Sequence, residues 1–266
     1  MVRIAMNGAL GKMGQRILHL AARSKDCRIA GAYDRPDAPG AGRDIGEIIG
    51  LGSKVGVPLT ALGVEALRHT DVLIDFSSAQ GVEAALRACV QARKAIVIGT
   101  TGLEKPAISR IKAAALKIPV VFSPNMSVGA NFLFELAALA AAKLGAGYDI
   151  EVVEAHHRHK KDAPSGTARR LAESIAEAKG WDLDRVAKYG RQGITGERPH
   201  EQIGIHVIRA GEIVGDHTAI FSGPGETIEI VHRAHTRDAF ARGALVAALY
   251  VSGKKKGYYT MKDVLR

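Results

Sequence analysis

Short apolar runs alternate with helical patterns through the first 126 residues, and this alternation constrains the fold more than any other feature. The runs are VRIAMN from Val2, CRIAGAY from Cys27, DVLIDF from Asp71, AIVIG from Ala95 and PVVFS from Pro119. Helical periodicity follows the first run, with Met13, Ile17, Leu20 and Ala21 on one side. It returns in GVEAALRACVQAR from Gly81 and EKPAISRIKAAALK from Glu104. Strands that are apolar on both faces need cover on both, and parallel strands need long crossovers. The pattern predicts a doubly wound α/β domain with a parallel sheet and right-handed connections.

The texture changes after residue 126. A long alanine-rich helix, GANFLFELAALAAAKLG from Gly129, leads into a strand, DIEVVEA from Asp149. A second helix, GTARRLAESIAEAKG from Gly166, stops at Gly180, a predicted C-cap. The β-rich segments IGIHVIRAGEIVGDHTAIFS from Ile203 and ETIEIVHRA from Glu226 carry turn signals at Ala210-Gly211 and Gly223-Pro224-Gly225. This stretch is expected to form an α+β domain on an open mixed sheet over residues 127–236. The position of the helix DAFARGALVAALYVSG from Asp238 suggests a return to the first domain, so residues 1–126 and 237–266 are expected to belong together.

No apolar run approaches the ~20 residues that span a bilayer, and the start MVRIAMNG shows no cleavable leader, so a cytoplasmic protein is expected. Cys27 and Cys89 lie far apart in apolar segments and read as buried thiols. The net charge of +10 comes from scattered Lys and Arg, with short clusters at Arg158 to Lys161 and Lys254 to Lys256. Such scatter suits solvated surface and attraction of small anions better than nucleic acid. With six Phe and one Trp, a stacking platform for bases is also not expected.

MNGALGKMGQRI sets Gly8, Gly11 and Gly14 at three-residue spacing between the first strand and the first helix. The strict G-x-G-x-x-G fingerprint is not met, since its first position is Ala9. The context, a strand feeding a helix whose unpaired N–H groups and dipole favour a pyrophosphate, makes a Rossmann-like dinucleotide site the expectation. Asp34 ends the second strand 20 residues after Gly14, where a carboxylate accepts hydrogen bonds from the ribose of NAD. The neighbouring Arg35 suits the 2′-phosphate of NADP instead, so the pair admits either cofactor. GTTG (Gly99 to Gly102) and SPNMS (Ser123 to Ser127) place small polar residues at two further strand ends, where ligands of such sheets lie.

EAHHRHKKDAPSGTA, Glu154 to Ala168, crowds three histidines and two lysines before a small-residue turn. A metal site needs convergent imidazoles, yet if the strand continues His157 and His159 share one face and His156 points away. There is no nearby Cys and no H-E-x-x-H, so no metal is expected. The same cluster is also compatible with a patch for polyanions and with a solvated basic loop. After it, Ser165 is a good N-cap, and Gly166 and Thr167 open a helix whose N–H groups suit a carboxylate. The arrangement then suits a small acidic substrate, with cations to neutralise it and a histidine or Lys160 to exchange a proton.

NGALGKMG, GTTG, SPNMSVGAN and above all EAHHRHKKDAPSGTA resemble the dihydrodipicolinate reductases, the 4-hydroxy-tetrahydrodipicolinate reductases of the diaminopimelate route to lysine. The resemblance runs over essentially the whole chain. It implies a nucleotide domain of residues 1–126 and 237–266, a substrate domain of residues 127–236 whose sheet mediates a homotetramer, and hydride transfer from NADH or NADPH to an unsaturated cyclic dicarboxylate, giving tetrahydrodipicolinate. By position it implies His156 as proton donor or acceptor, Lys160 as proton donor, and His157, Gly166 and Thr167 as substrate ligands. Cofactor contacts fall on Gly8, Ala9, Leu10, Gly11, Lys12 and Met13, on Asp34 and Arg35, on Gly99, Thr100 and Thr101, and on Ser123, Pro124, Asn125 and Met126. A semialdehyde dehydrogenase of similar plan needs a nucleophilic cysteine at a turn, whereas Cys89 falls within a predicted helix. Outside the enzymes, the same features would suit a regulator that binds nicotinamide or nucleic acid without catalysis.

Overall fold

In the computed structural model, which describes residues 1–266, the apolar runs become parallel strands. β1 (Val2–Asn7) feeds α1 (Lys12–Ala22), followed by β2 (Cys27–Tyr33), the short α2 (Ile45–Ile48) and β3 (Leu59–Thr60). β4 (Val72–Asp75), α3 (Ala79–Ala92), β5 (Ala95–Ile98), α4 (Lys105–Ala115) and β6 (Pro119–Phe122) continue the winding. β4 and β5 are buried at every position, as strands covered on both faces must be. α3 starts where Ser78 accepts the Gly81 N–H and stops at Arg93, which takes the left-handed conformation with φ 52°.

After the second unit the chain adds α8 (Asp238–Ser252), β12 (Gly257–Tyr259) and α9 (Met261–Val264) to the first. The completed sheet has seven strands in the order β12-β6-β5-β4-β1-β2-β3, every pairing parallel. Winding reverses between β1 and β4, which is the topological switch point of a Rossmann arrangement. α8 buries Ala241, Ala244, Ala247, Ala248 and Val251, small residues that let it lie close to the sheet. At Gly243 the approach is so close that a Cβ would overlap the Met126 carbonyl.

Two units result: Met1–Val128 with Arg237–Arg266, and Gly129–Thr236. The second comprises most of α5 (Val128–Lys143), β7 (Asp149–His156), α6 (Gly166–Lys179), the short α7 (Leu183–Val186) and β8 (Ala187–Tyr189). It ends with β9 (Ile203–Arg209), β10 (Asp216–Gly223) and β11 (Glu226–Arg233). Their sheet, β11-β10-β7-β9-β8, is mixed, with β10 antiparallel to β7 and β11 while β7, β9 and β8 run parallel. Ile150 and Val152 pack with Phe221, Leu133 and Leu171 on the face that α5 and α6 cover. α6 ends on Gly180 at φ 70°, the left-handed C-cap that the sequence predicts.

Candidate active site

In the first unit the cofactor residues expected from sequence lie at the carboxyl ends of successive strands. Gly8 and Ala9 donate their N–H groups to Tyr33 O at 2.9 and 3.0 Å, which ties the end of β1 to that of β2. Asp34, just past β2, accepts the Leu10 N–H at 2.9 Å, so it also braces the glycine turn. Gly8 has φ 81° and a Cβ there would lie 2.6 Å from Phe76 O, while a Cβ on Gly14 would overlap Gly8 O. Gly11 caps α1 without a side-chain acceptor, leaving the first turn's N–H groups to another partner. Arg35 is exposed and stands 3.8 Å from Asp37.

A buried carboxylate that sequence reading passed over organises the switch point. Asp75 accepts hydrogen bonds from Asn7 Nδ2 at 2.6 Å, Thr100 Oγ1 at 2.6 Å and Ser77 Oγ at 3.0 Å. Burial pushes its carboxyl up, against the pull of those donors from Thr100, Asn7 and Ser77. Its signal was a lone acid ending an apolar strand. Gly99 follows β5, where a Cβ would overlap the Phe76 ring. The next strand end is joined by Ser123, whose N–H reaches Ile98 O at 3.2 Å and whose Oγ donates to Asn125 O at 2.7 Å. Lys12, Thr101 and Pro124 are exposed, while Met126 is buried in the core and its side chain serves packing.

The second unit gathers the remaining candidates at the end of β7. The strand stops at His156, so the alternation considered through His159 ends there. His157 turns aside, donating its N–H to Ile213 O at 2.7 Å, and its ring lies 6.1 Å from that of His159. No three His, Cys, Asp or Glu side chains gather as a metal site. Along β7 the buried face reads Ile150, Val152, Glu154, His156, two apolar residues and then two ionisable ones. Glu154, 0% exposed, accepts from His156 Nδ1 at 2.5 Å and from the Ser165 N–H at 2.9 Å. Arg209 completes the set with bonds of 2.8 and 2.9 Å to its two oxygens. Burial would raise the Glu154 carboxyl, but hydrogen bonds from His156, Arg209 and Ser165 outweigh it and hold it down at about 2.

His217, opposite Glu154 on β10, packs edge-on against His156 with ring centroids 5.1 Å apart. Burial, followed by repulsion from His156, His232 and Lys160, outweighs the pull of Glu154 and lowers it to about 3, so it stays neutral. Its Nε2 lies 3.2 Å from Ser165 Oγ, which also caps α6 by accepting the Ala168 N–H at 3.1 Å. Gly166 is exposed, and a Cβ there would meet no heavy atom within 4 Å. Lys160 Nζ pairs with Asp162 at 3.0 Å. A Cβ on Gly215 would lie 3.0 Å from His156 Nε2, so glycine keeps that nitrogen clear. Glu154, Arg209, His217 and Gly215 were all missed as site residues; an acid and a histidine two apart on a buried strand face was the available signal.

A doubly wound sheet with a glycine turn, joined to an α+β unit holding a buried Glu–His pair beside a capped helix, is the build of a two-unit dinucleotide-dependent oxidoreductase. The model "Dihydrodipicolinate reductase, N-terminus" matches residues 2–126, and "Dihydrodipicolinate reductase, C-terminus" matches 129–265. The chain belongs to the dihydrodipicolinate reductase family. It is 47% identical over 264 residues to the 4-hydroxy-tetrahydrodipicolinate reductase of Thiobacillus denitrificans, covering 99% of this chain and 98% of that protein. To the protein of the same name from Hahella chejuensis it is 49% identical, covering 100% and 99%. The solved dipicolinate-bound dihydrodipicolinate reductase from Paenisporosarcina sp. TG-14 superposes with TM-score 0.76 at 26% identity, covering 98% of this chain and 97% of that one.

Both cysteines are free and buried, and burial pushes the Cys89 thiol up, which makes it a poor nucleophile. No helix is long and apolar enough to cross a membrane.

Proposed function

We propose that this chain reduces 4-hydroxy-tetrahydrodipicolinate to tetrahydrodipicolinate with NADH or NADPH, in the diaminopimelate route to lysine. One observation carries this beyond family membership: His156, backed by the buried Glu154, stands beside the Ser165-capped start of α6. The pairing supports a proton-exchanging group next to an anion site, as a cyclic dicarboxylate requires.

The first unit's residues fit a dinucleotide, because Gly8 and Gly14 leave room only for bare backbone and the start of α1 has no side-chain cap. Gly8 to Met13 would hold its pyrophosphate, Asp34 and Arg35 its adenosine end, and Gly99 to Thr101 with Ser123 to Met126 its nicotinamide end. When bound, the reduced cofactor supplies the hydride. The chain's own work is orientation and proton supply. Gly166 and Thr167 present main-chain N–H groups to a substrate carboxylate, and His157 adds a further contact. His156 or Lys160 delivers the proton that the reduced ring requires.

The unit's sheet also supports a homotetramer. Its face opposite α5 and α6 carries Val153, Ile208 and Val231, the last two at 47% and 44% exposure.

A coupled assay with freshly generated substrate, following NADH and NADPH oxidation in parallel, tests the reaction. His156→Gln and Lys160→Ala are each expected to lower kcat by roughly 10²-fold while cofactor affinity persists. Unchanged turnover in both variants overturns the assignment.

A further inference from the structure

We propose that Glu154 is the positioning residue of this site, fixing the tautomer and ring plane of His156 and, with the same carboxylate, the start of α6. The inference rests on His156 exchanging a proton with substrate. Glu154 divides its two oxygens evenly. Oε2 takes His156 Nδ1 and Arg209 Nη1, and Oε1 takes the Ser165 N–H and Arg209 Nη2. An ion pair serving only the fold would be satisfied by the two-pronged Arg209 contact alone.

The remaining two bonds run instead to the proton-handling ring and to the residue that caps the anion-binding helix. An ionised carboxylate only accepts, so His156 carries its hydrogen on Nδ1. Nε2 is left with the lone pair in the neutral ring, on the side that Gly215 keeps open. His217 closes the edge of the same ring and reaches Ser165 Oγ, so ring and helix start share one support.

Glutamine cannot serve both clients. Whichever way its amide is turned, an NH₂ group meets either His156 Nδ1–H or the Ser165 N–H, and an Arg209 donor besides. Steady-state kinetics of Glu154→Gln, Glu154→Asp, His156→Gln and the Glu154→Gln/His156→Gln double variant test the inference. Glu154→Gln is expected to lower kcat by about 10²-fold, with affinity for NADH and NADPH unchanged. Glu154→Asp, still an acceptor-only anion, recovers part of that loss. In kcat the double variant falls no more than about 3-fold below His156→Gln, because the proton-handling that Glu154 supports is already lost there, and the loss of its bond to the start of α6 is read in the substrate KM instead.

Losses in kcat that multiply in the double variant, or wild-type kcat in folded Glu154→Gln, overturn the proposal. Full turnover in His156→Gln removes the proton-exchanging role on which the proposal rests and overturns it, while the reductase reading falls only if Lys160→Ala turns over fully as well. Nitrogen NMR of unsubstituted protein reads the tautomer independently of whether any variant folds: a protonated Nδ1 in the neutral His156 ring is expected, and a protonated Nε2 refutes it.

Discussion

Glycine has opposite meanings at two places in this chain. Gly14 lies so close to Gly8 O that no side chain fits, and Gly8 itself sits at φ 81°. Gly166 opens α6 into free space, so packing makes no demand for glycine there. Gly14→Ala is expected to cost roughly 1–3 kcal/mol, a few degrees in Tm, and to weaken cofactor binding. Gly166→Ala should melt like the parent protein yet raise the substrate KM about 10-fold, as expected when a backbone hydrogen bond to a charged group is crowded out. Melting curves and KM values together decide it; a lowered Tm with unchanged KM would make Gly166 structural. Both glycines sit in small-residue motifs, so the sequence marked them without separating their roles. Glu154 was less legible, because its partner Arg209 lies 55 positions away and only the register of β7 with β9 brings them together.

β7 carries Asp149 and Glu151 on its outer face and Glu154 on its inner one, and each of the three is held by arginine. Glu151 accepts from Arg191, Arg198 and His206 on the outer face, while Glu154 faces inward. Burial alone would raise both, and the hydrogen bonds overcome it to hold both at about 2, against about 4.5 in the unfolded chain. A depressed folded value stabilises fully above the unfolded one, and that stabilisation is lost as pH falls from about 4.5 toward 2. Glu154 alone contributes on the order of 3 kcal/mol to this decline. Urea denaturation at a series of pH values should show stability falling through that window, with a flatter fall in Glu154→Gln. An equally steep fall in the variant would remove Glu154 from the account. The long elements were legible because apolar period and caps agree, as at Ser165 and Gly180. β3, β8 and β12 were not, since strands of two or three residues have no period to detect and exist through their partners.

The second unit's sheet is packed by helices on one face only, with Val153, Thr218 and Val231 in register across the other. Ile208→Lys with Val231→Glu is expected to shift light-scattering mass from that of the proposed tetramer toward smaller species; an unchanged mass would move the proposed interface elsewhere. That the chain leaves its first unit and returns to it was legible from the texture change near residue 126 and the alanine-rich helix near the end. The physical need for the return was not. α8 supplies Ala241, Ala244, Leu245, Ala247, Ala248 and Val251 to the core formed by β1, β2 and β4, and β12 pairs with β6 at the sheet's edge. During synthesis, residues 1–128 therefore emerge without the helix that seals them, while residues 129–236 are contiguous and carry their own core. The part of the enzyme made first is the part finished last, and a ribosome stalled before residue 237 leaves an unsealed nucleotide fold for chaperones or proteases to meet.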